Sequence, residues 1–140
     1  MTAYKKLIEE TIKFLKSRFD DKEEDVVVAG AYTETGEILF GVATEAHVNS
    51  ACLCAETGPI CEAQRQNIRL TASVCIIRET PNSELKFLTP CGICQERLLY
   101  FGNSLTVIIP ENDPTQWTIK TLKELQPNHW YNVFEKKNEI

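Results

Sequence analysis

Cys54-Ala55-Glu56 and, farther along, Pro90-Cys91-Gly92-Ile93-Cys94 carry the residue types from which a hydrolytic centre is built. Three thiolates can hold one zinc ion and leave its fourth position open to water. Water in that position gives up a proton near neutral pH, and a carboxylate beside it can carry the proton onward. Cys54, Cys91 and Cys94 are the candidate ligands. Glu56, two residues from Cys54, is the candidate proton carrier.

Other readings of these residues stay open at this level. A lone Cys-x-x-Cys also serves redox chemistry, though no second feature of the chain supports that here. A structural zinc site needs a fourth ligand. Cys52, Cys61, Cys75, His47 and His129 are available, and none forms a second closely spaced pair. Cys75 stands in an apolar run and reads as a small buried residue. Cys61 falls about two helical turns beyond Cys54, far along the axis from a shared metal. Glu56 taken alone reads as a solvated acid stabilised by a helix start.

The elements that must position these groups follow from hydrophobic spacing. Thr2 to about Phe19 places Leu7, Ile8, Ile12, Phe14, Leu15 and Phe19 near helical intervals. The acidic stretch Asp20 to Asp25 reads as a solvated loop. Val26 to Thr33 reads as a buried strand, and Thr35-Gly36 as the turn of a hairpin whose return strand is Glu37 to Val42. A helix is predicted from near Cys54 to about Ile68, a strand over Ala72 to Arg78, and a helix from near Cys91 to Gly102. Leu105 to Ile109 reads as a fourth strand and Trp117 to Lys120 as a short fifth. Both cysteine motifs fall where a helix starts. There, unpaired N–H groups and a partial positive charge favour thiolate over thiol. Gly58-Pro59 is unusual so early in a helix, because proline removes a donor. The order predicts an α/β fold with a mixed sheet covered by helices.

Length and charge narrow the class. The 140 residues predict a single domain spanning 1–140. The start runs into an amphipathic pattern with no apolar core of a leader, so no signal peptide is expected. No segment approaches the length of a membrane span. Six cysteines without a secretion signal fit a reducing, cytoplasmic setting, where metal binding outweighs disulfides. The formal net charge of -5 argues against a protein that follows a phosphate backbone, so the expected partner is a small-molecule substrate, with no nucleic acid and no membrane.

At these residues the chain resembles the small zinc-dependent cytidine deaminases, in particular the homotetrameric branch that includes blasticidin-S deaminases. The resemblance covers nearly the whole chain. It rests on the Thr-Gly hairpin, Cys54-Ala55-Glu56, Thr89-Pro90-Cys91-Gly92-Ile93-Cys94, and Glu124-Leu125-Gln126-Pro127 followed by an aromatic. The pattern matches a zinc base-deaminase signature in its three-cysteine form. It implies a three-layer α/β/α fold with a mixed five-stranded sheet, one Zn2+ per chain, a homotetramer, and a place in pyrimidine salvage. It further implies that Cys54, Cys91 and Cys94 ligate the zinc and that Glu56 shuttles protons. By the same resemblance the N–H of Ala55 donates to the pyrimidine, Glu45 binds a ribose hydroxyl, and Trp130 stacks on the base in a neighbouring subunit. Glu45 also reads as an exposed strand-end acid, and Trp130 as a core or interface residue.

The departures bear on the substrate. Ala43 stands where the family usually has asparagine, and Asp25 or Val26 where it has a stacking phenylalanine. Thr57 follows Glu56 in place of an arginine, and Gln95 follows Cys94 in place of another, with Arg97 two residues on. The hydrolytic residues are retained while the nucleoside grips differ. The expectation is hydrolytic deamination at C4 of a cytosine nucleoside or an analogue such as blasticidin S. The alternative is a zinc-stabilised binding module of the same fold with weak or no turnover.

Overall fold

A computed structural model describes residues 1–134. A mixed sheet forms its middle layer. Helix α1 (Thr2–Arg18) leads into β1 (Val26–Thr33) and β2 (Ile38–Val42), and α2 (Thr57–Gln66) into β3 (Leu70–Arg78). A two-residue β4 (Lys86–Phe87), α3 (Gly92–Leu99), β5 (Thr106–Pro110), β6 (Trp117–Thr121) and the short α4 (Leu122–Leu125) complete the order. The strands run β2-β1-β3-β5-β6, antiparallel except for the parallel β3–β5 pair.

The five expected strands are present, and β4 is an addition. One edge of β3 is shared: Ala72 and Ser73 pair with β5, while Ile76 and Ile77 pair with β4. Two paired residues give too little pattern to read from sequence. Their effect is positional, because β4 runs directly into Thr89-Pro90-Cys91 and Leu88 N–H bonds the carbonyl of Cys75 at 3.0 Å. The loop that carries two thiols is thereby tied to the central strand.

Each sheet face buries its own core. Leu7, Ile8 and Leu15 of α1 pack on Val26, Val28, Ala72, Val74, Ile76 and Ile108. On the other face, Ile60 and Ala63 of α2 and Leu98 of α3 pack with Ala31, Leu39, Leu70, Leu105 and Val107. Leu7 and Leu15 are fully buried, and each contributes about 1.5–3 kcal/mol relative to an exposed position. Phe14 and Phe40 stack at 4.7 Å and fasten α1 to β2. Thr11, buried on the same helix, satisfies its hydroxyl on the Leu7 carbonyl at 2.7 Å.

Helix α2 starts at Thr57, three residues later than the spacing predicts. Cys54 lies in the preceding turn, where its carbonyl accepts from Thr57 N–H at 3.0 Å. Pro59 is the third helical residue, where a backbone N–H has no intrahelical acceptor, so no bond is lost and the helix is not broken. Asn67, in the left-handed region at φ 57°, ends α2. At the N-terminal end, β2 and α2 touch through two glycines. A Cβ on Gly41 would meet the Ala55 carbonyl and the Pro59 ring, and one on Gly58 would lie 3.1 Å from Gly41 Cα. This close approach sets the height of Cys54-Ala55-Glu56 above the sheet.

Candidate metal centre and its cavity

Two helix starts converge. Cys54 precedes α2, Cys91 is the residue before α3, and Cys94 lies in the first turn of α3. Their three sulfurs all lie within 4.8 Å of one another, and Cys54 Sγ is 3.4 Å from Cys91 Sγ. Tetrahedral zinc with Zn–S bonds of about 2.3 Å places its sulfurs about 3.8 Å apart. The donor set therefore fits a zinc ion. All six cysteines are free thiols.

Protonation follows from the same geometry. Burial opposes ionisation of Cys91, but the N–H of Cys94, the Cys54 thiol and the N–H of Ile93 all donate to it, and its pKa falls below the ordinary thiol value. Burial and the contact with Cys91 push Cys54 up. Burial, then the nearby Glu56 carboxylate, push Cys94 far up. Cys91 is thus the first thiol to ionise, at the helix N-terminus that stabilises it.

Glu56 is 4% exposed. Burial raises its pKa, and hydrogen bonds from its own N–H and from the thiols of Cys94 and Cys75 partly offset the rise. A carboxylate in this position holds a proton more readily than one in water, which suits a group that must both take up and deliver protons.

A cavity of about 340 Å³ opens over these groups. Cys54, Ala55, Glu56, Cys75 and Cys91 form one part of its lining, and Val27, Ala43, Leu53 and Leu88 supply apolar walls. Thr44, Cys52 and Thr89 also line it. The Thr44 hydroxyl accepts from Leu53 N–H at 2.7 Å, and its own hydrogen remains available to donate. Thr57, in the position of the missing arginine, accepts from Arg97 of α3 at 3.3 Å.

The structure thus brings together Cys54, Cys91, Cys94, Glu56 and Ala55. Glu45 lies on the exposed coil after β2 beside Ala46 and His47, outside the residues lining this cavity. Trp130, 66% exposed, lines a separate groove with Glu96, Leu99, Tyr100, His129 and Tyr131. Cys75 is buried, as its apolar strand predicts, but its thiol reaches Glu56. Val27, Leu53 and Leu88 carry no chemical signature, so sequence reasoning passed over them as wall residues. A strand buried on both faces gives no alternation to show which side chains meet the start of α2.

No family model matches the chain. A cytidine deaminase of solved structure from Bacillus anthracis is 37% identical, with 93% of this chain and 91% of that one covered and a TM-score of 0.85. A cytidine deaminase structure from Mycobacterium leprae is 25% identical over 74% of this chain and 80% of that one, with a TM-score of 0.60. The blasticidin-S deaminase of Bacillus cereus is 26% identical over 125 residues, 86% of this chain and 87% of its own length.

Proposed function

This chain belongs to the cytidine deaminase family, and on that footing we propose that it hydrolyses the exocyclic amine from C4 of a cytosine-type ring, releasing ammonia. The observation that carries this reading is the burial of Glu56 beside three mutually close thiols, two of which, Cys54 and Cys91, line one cavity with it. Cys54, Cys91 and Cys94 hold the metal. A zinc ion bound there supplies the Lewis acidity that lets water act as a nucleophile near neutral pH.

The chain's own groups do the rest. Glu56 takes a proton from the attacking water and gives one to the ring nitrogen. It then carries a proton to the amine, which leaves C4 as ammonia while the ring keeps the water's oxygen. The N–H of Ala55 donates to the pyrimidine edge. The apolar walls exclude water from the face of the ring and strengthen each polar contact. Glu45 serves the sugar end, and Trp130 stacks on the base bound by a neighbouring chain of a homotetramer. Ala43 in the lining offers no amide, neither Asp25 nor Val26 enters it, and no aromatic side chain among the described residues lines the cavity, which favours a cytosine analogue such as blasticidin S over cytidine.

Ammonia release from cytidine, deoxycytidine, cytosine and blasticidin S, measured on zinc-loaded protein and on Glu56→Gln, tests this. The expected result is turnover of at least one of them that is lost in the variant while zinc stays bound. Zinc-loaded protein that releases ammonia from none of them overturns this reading in favour of a binding module.

A further inference from the structure

The residue after the last thiol joins the Pro90–Cys91 loop to the C-terminal segment. Pro90, which precedes Cys91, is buried. Its carbonyl cannot be left without a donor at low cost. Gln95 Nε2 donates to it at 2.8 Å. The other end of the same amide, Oε1, accepts from Gln126 Nε2 at 2.8 Å. Gln126 is the last residue before Pro127, and the aromatic turn Trp130–Phe134 follows directly. One residue on, Glu96 holds the same segment from a second point. His129 Nε2 lies 2.7 Å from its carboxylate, and His129 Nδ1 accepts from Tyr131 N–H at 3.1 Å. With Nδ1 accepting, the neutral ring carries its hydrogen on Nε2 and donates to Glu96.

We infer that Gln95 is a positioning residue: it fixes the Pro90–Cys91 loop and couples the metal centre to the C-terminal aromatic segment. The inference rests on the metal site proposed above. A single primary amide suits the task because it donates at one end and accepts at the other, in one plane. Metal bound by Cys91 and Cys94 holds the Pro90 carbonyl where Gln95 needs it, and Gln95 then holds Gln126. Coupling of this kind is reciprocal, so order in the C-terminal turn must also favour metal binding. Glu96 and His129 secure the turn but do not reach the loop, so they do not replace the link.

The test uses the full chain with Trp117→Phe, which leaves Trp130 as its fluorophore. Zinc is titrated against a competing chelator while affinity and Trp130 emission are followed. In the parent, emission shifts as zinc binds. Gln95→Met keeps length and neutrality and removes both bonds. Its zinc affinity is expected to fall about 10-fold, the effect typical of losing a group that orients a ligand, and the emission shift should vanish. Gln126→Met cuts only the outer bond, so it should lose the emission shift and, by the same reciprocity, a smaller part of the zinc affinity, about threefold. It also tests the link if Gln95→Met does not fold. A parent that binds no zinc overturns the metal site itself. Zinc binding with affinity and emission response both unchanged in folded Gln95→Met overturns this inference alone, as does an unchanged emission response in Gln126→Met.

Discussion

Gly41→Ala is the sharpest perturbation of the site that leaves every chemical group in place. The new Cβ would lie 2.6 Å from Pro59 Cδ and closer still to the Ala55 carbonyl oxygen, where ordinary contact begins at 3.4 Å. The strand and the start of α2 must therefore part by about 1 Å. Neither obstacle is a flexible side-chain end: one is backbone and the other a ring anchored in a helix. Crowding of this kind costs about 1–3 kcal/mol of stability. The segment displaced is Cys54-Ala55-Glu56, which carries one proposed ligand and the proposed proton carrier, and a misplacement of about 1 Å at a reacting centre costs on the order of 100-fold in rate. Thermal unfolding, zinc competition and ammonia release should all be measured. The control is Gly92→Ala, beside Cys91, where a Cβ meets nothing within 4 Å. The expected result is a lower melting temperature, weaker zinc binding and slower turnover for Gly41→Ala, with Gly92→Ala near the parent. Parent-like stability, zinc affinity and rate in Gly41→Ala would refute the claim that the β2–α2 contact sets the site.

Glu56→Gln should keep zinc and lose about 100- to 10,000-fold in turnover, measured as ammonia release; near-normal turnover removes Glu56 from its role. Cys91→Ala should lose most bound zinc by metal analysis and unfold at a lower temperature, because the ion joins the starts of two helices; full metal content in that variant would contradict the ligand set. Hydrogen bonds from Arg65 and then Gln66 hold the Glu62 carboxyl at about 2, below its ordinary 4.5. This exposed pair therefore adds its small stability above pH 4.5 and loses it as pH falls toward 2, an effect an NMR titration of Glu62 follows and Arg65→Ala should reduce, leaving the part due to Gln66. Trp130→Ala should weaken substrate binding with zinc retained, and co-expression with Glu56→Gln should restore part of the activity by pairing an intact Glu56 with an intact Trp130 from another chain. A fully active monomer would exclude that arrangement.

The elements were legible wherever burial is one-sided or continuous. The apolar positions of α1 recur at helical spacing because one face meets the sheet, and Val26–Thr33 forms β1 over the whole predicted range because it lies between two strands. The candidate residues were legible because paired cysteine motifs at this spacing, with a carboxylate beside one of them, are rare by chance, and Cys54, Cys91, Cys94 and Glu56 meet as expected. Contacts that depend on the third dimension were not. The approach of Gly41 to Ala55 joins residues fourteen apart in sequence with no pattern between them. The bond from Gln126 to Gln95 spans 31 positions, and glutamine is ordinarily a surface residue. The reach of Cys75 to Glu56 depends on which side of β3 faces α2. The late start of α2 reflects a turn closed by the Cys54 carbonyl, which competes with helix over the very residues that carry the motif.

The lining of the cavity also limits how its specificity can arise. Val27, Ala43, Leu53 and Leu88 can press on a ring but cannot ask for a particular hydroxyl. Apolar walls separate substrates that differ by a methylene only about 10- to 200-fold. A site that hydrogen-bonds a substrate group rejects analogues lacking it far more strongly, because its own polar atoms are left unpaired. The polar side-chain groups in this lining are few. On the proposed reading Glu56 is committed to proton transfer, and Cys54 and Cys91 to metal. Thr44 is different, because its oxygen is occupied by Leu53 N–H and its hydrogen is still free to be given. On the proposed reading, discrimination at the sugar side must therefore come from Thr44, from Thr89, which also lines the cavity, and from groups outside the lining, such as Glu45 on the adjoining coil. The base end, by contrast, is assigned by the proposed reading to Ala55, Glu56 and the three thiols. Chemistry at C4 would then be fixed by the core of the fold, whereas the decoration carried by the ring would be read by its rim.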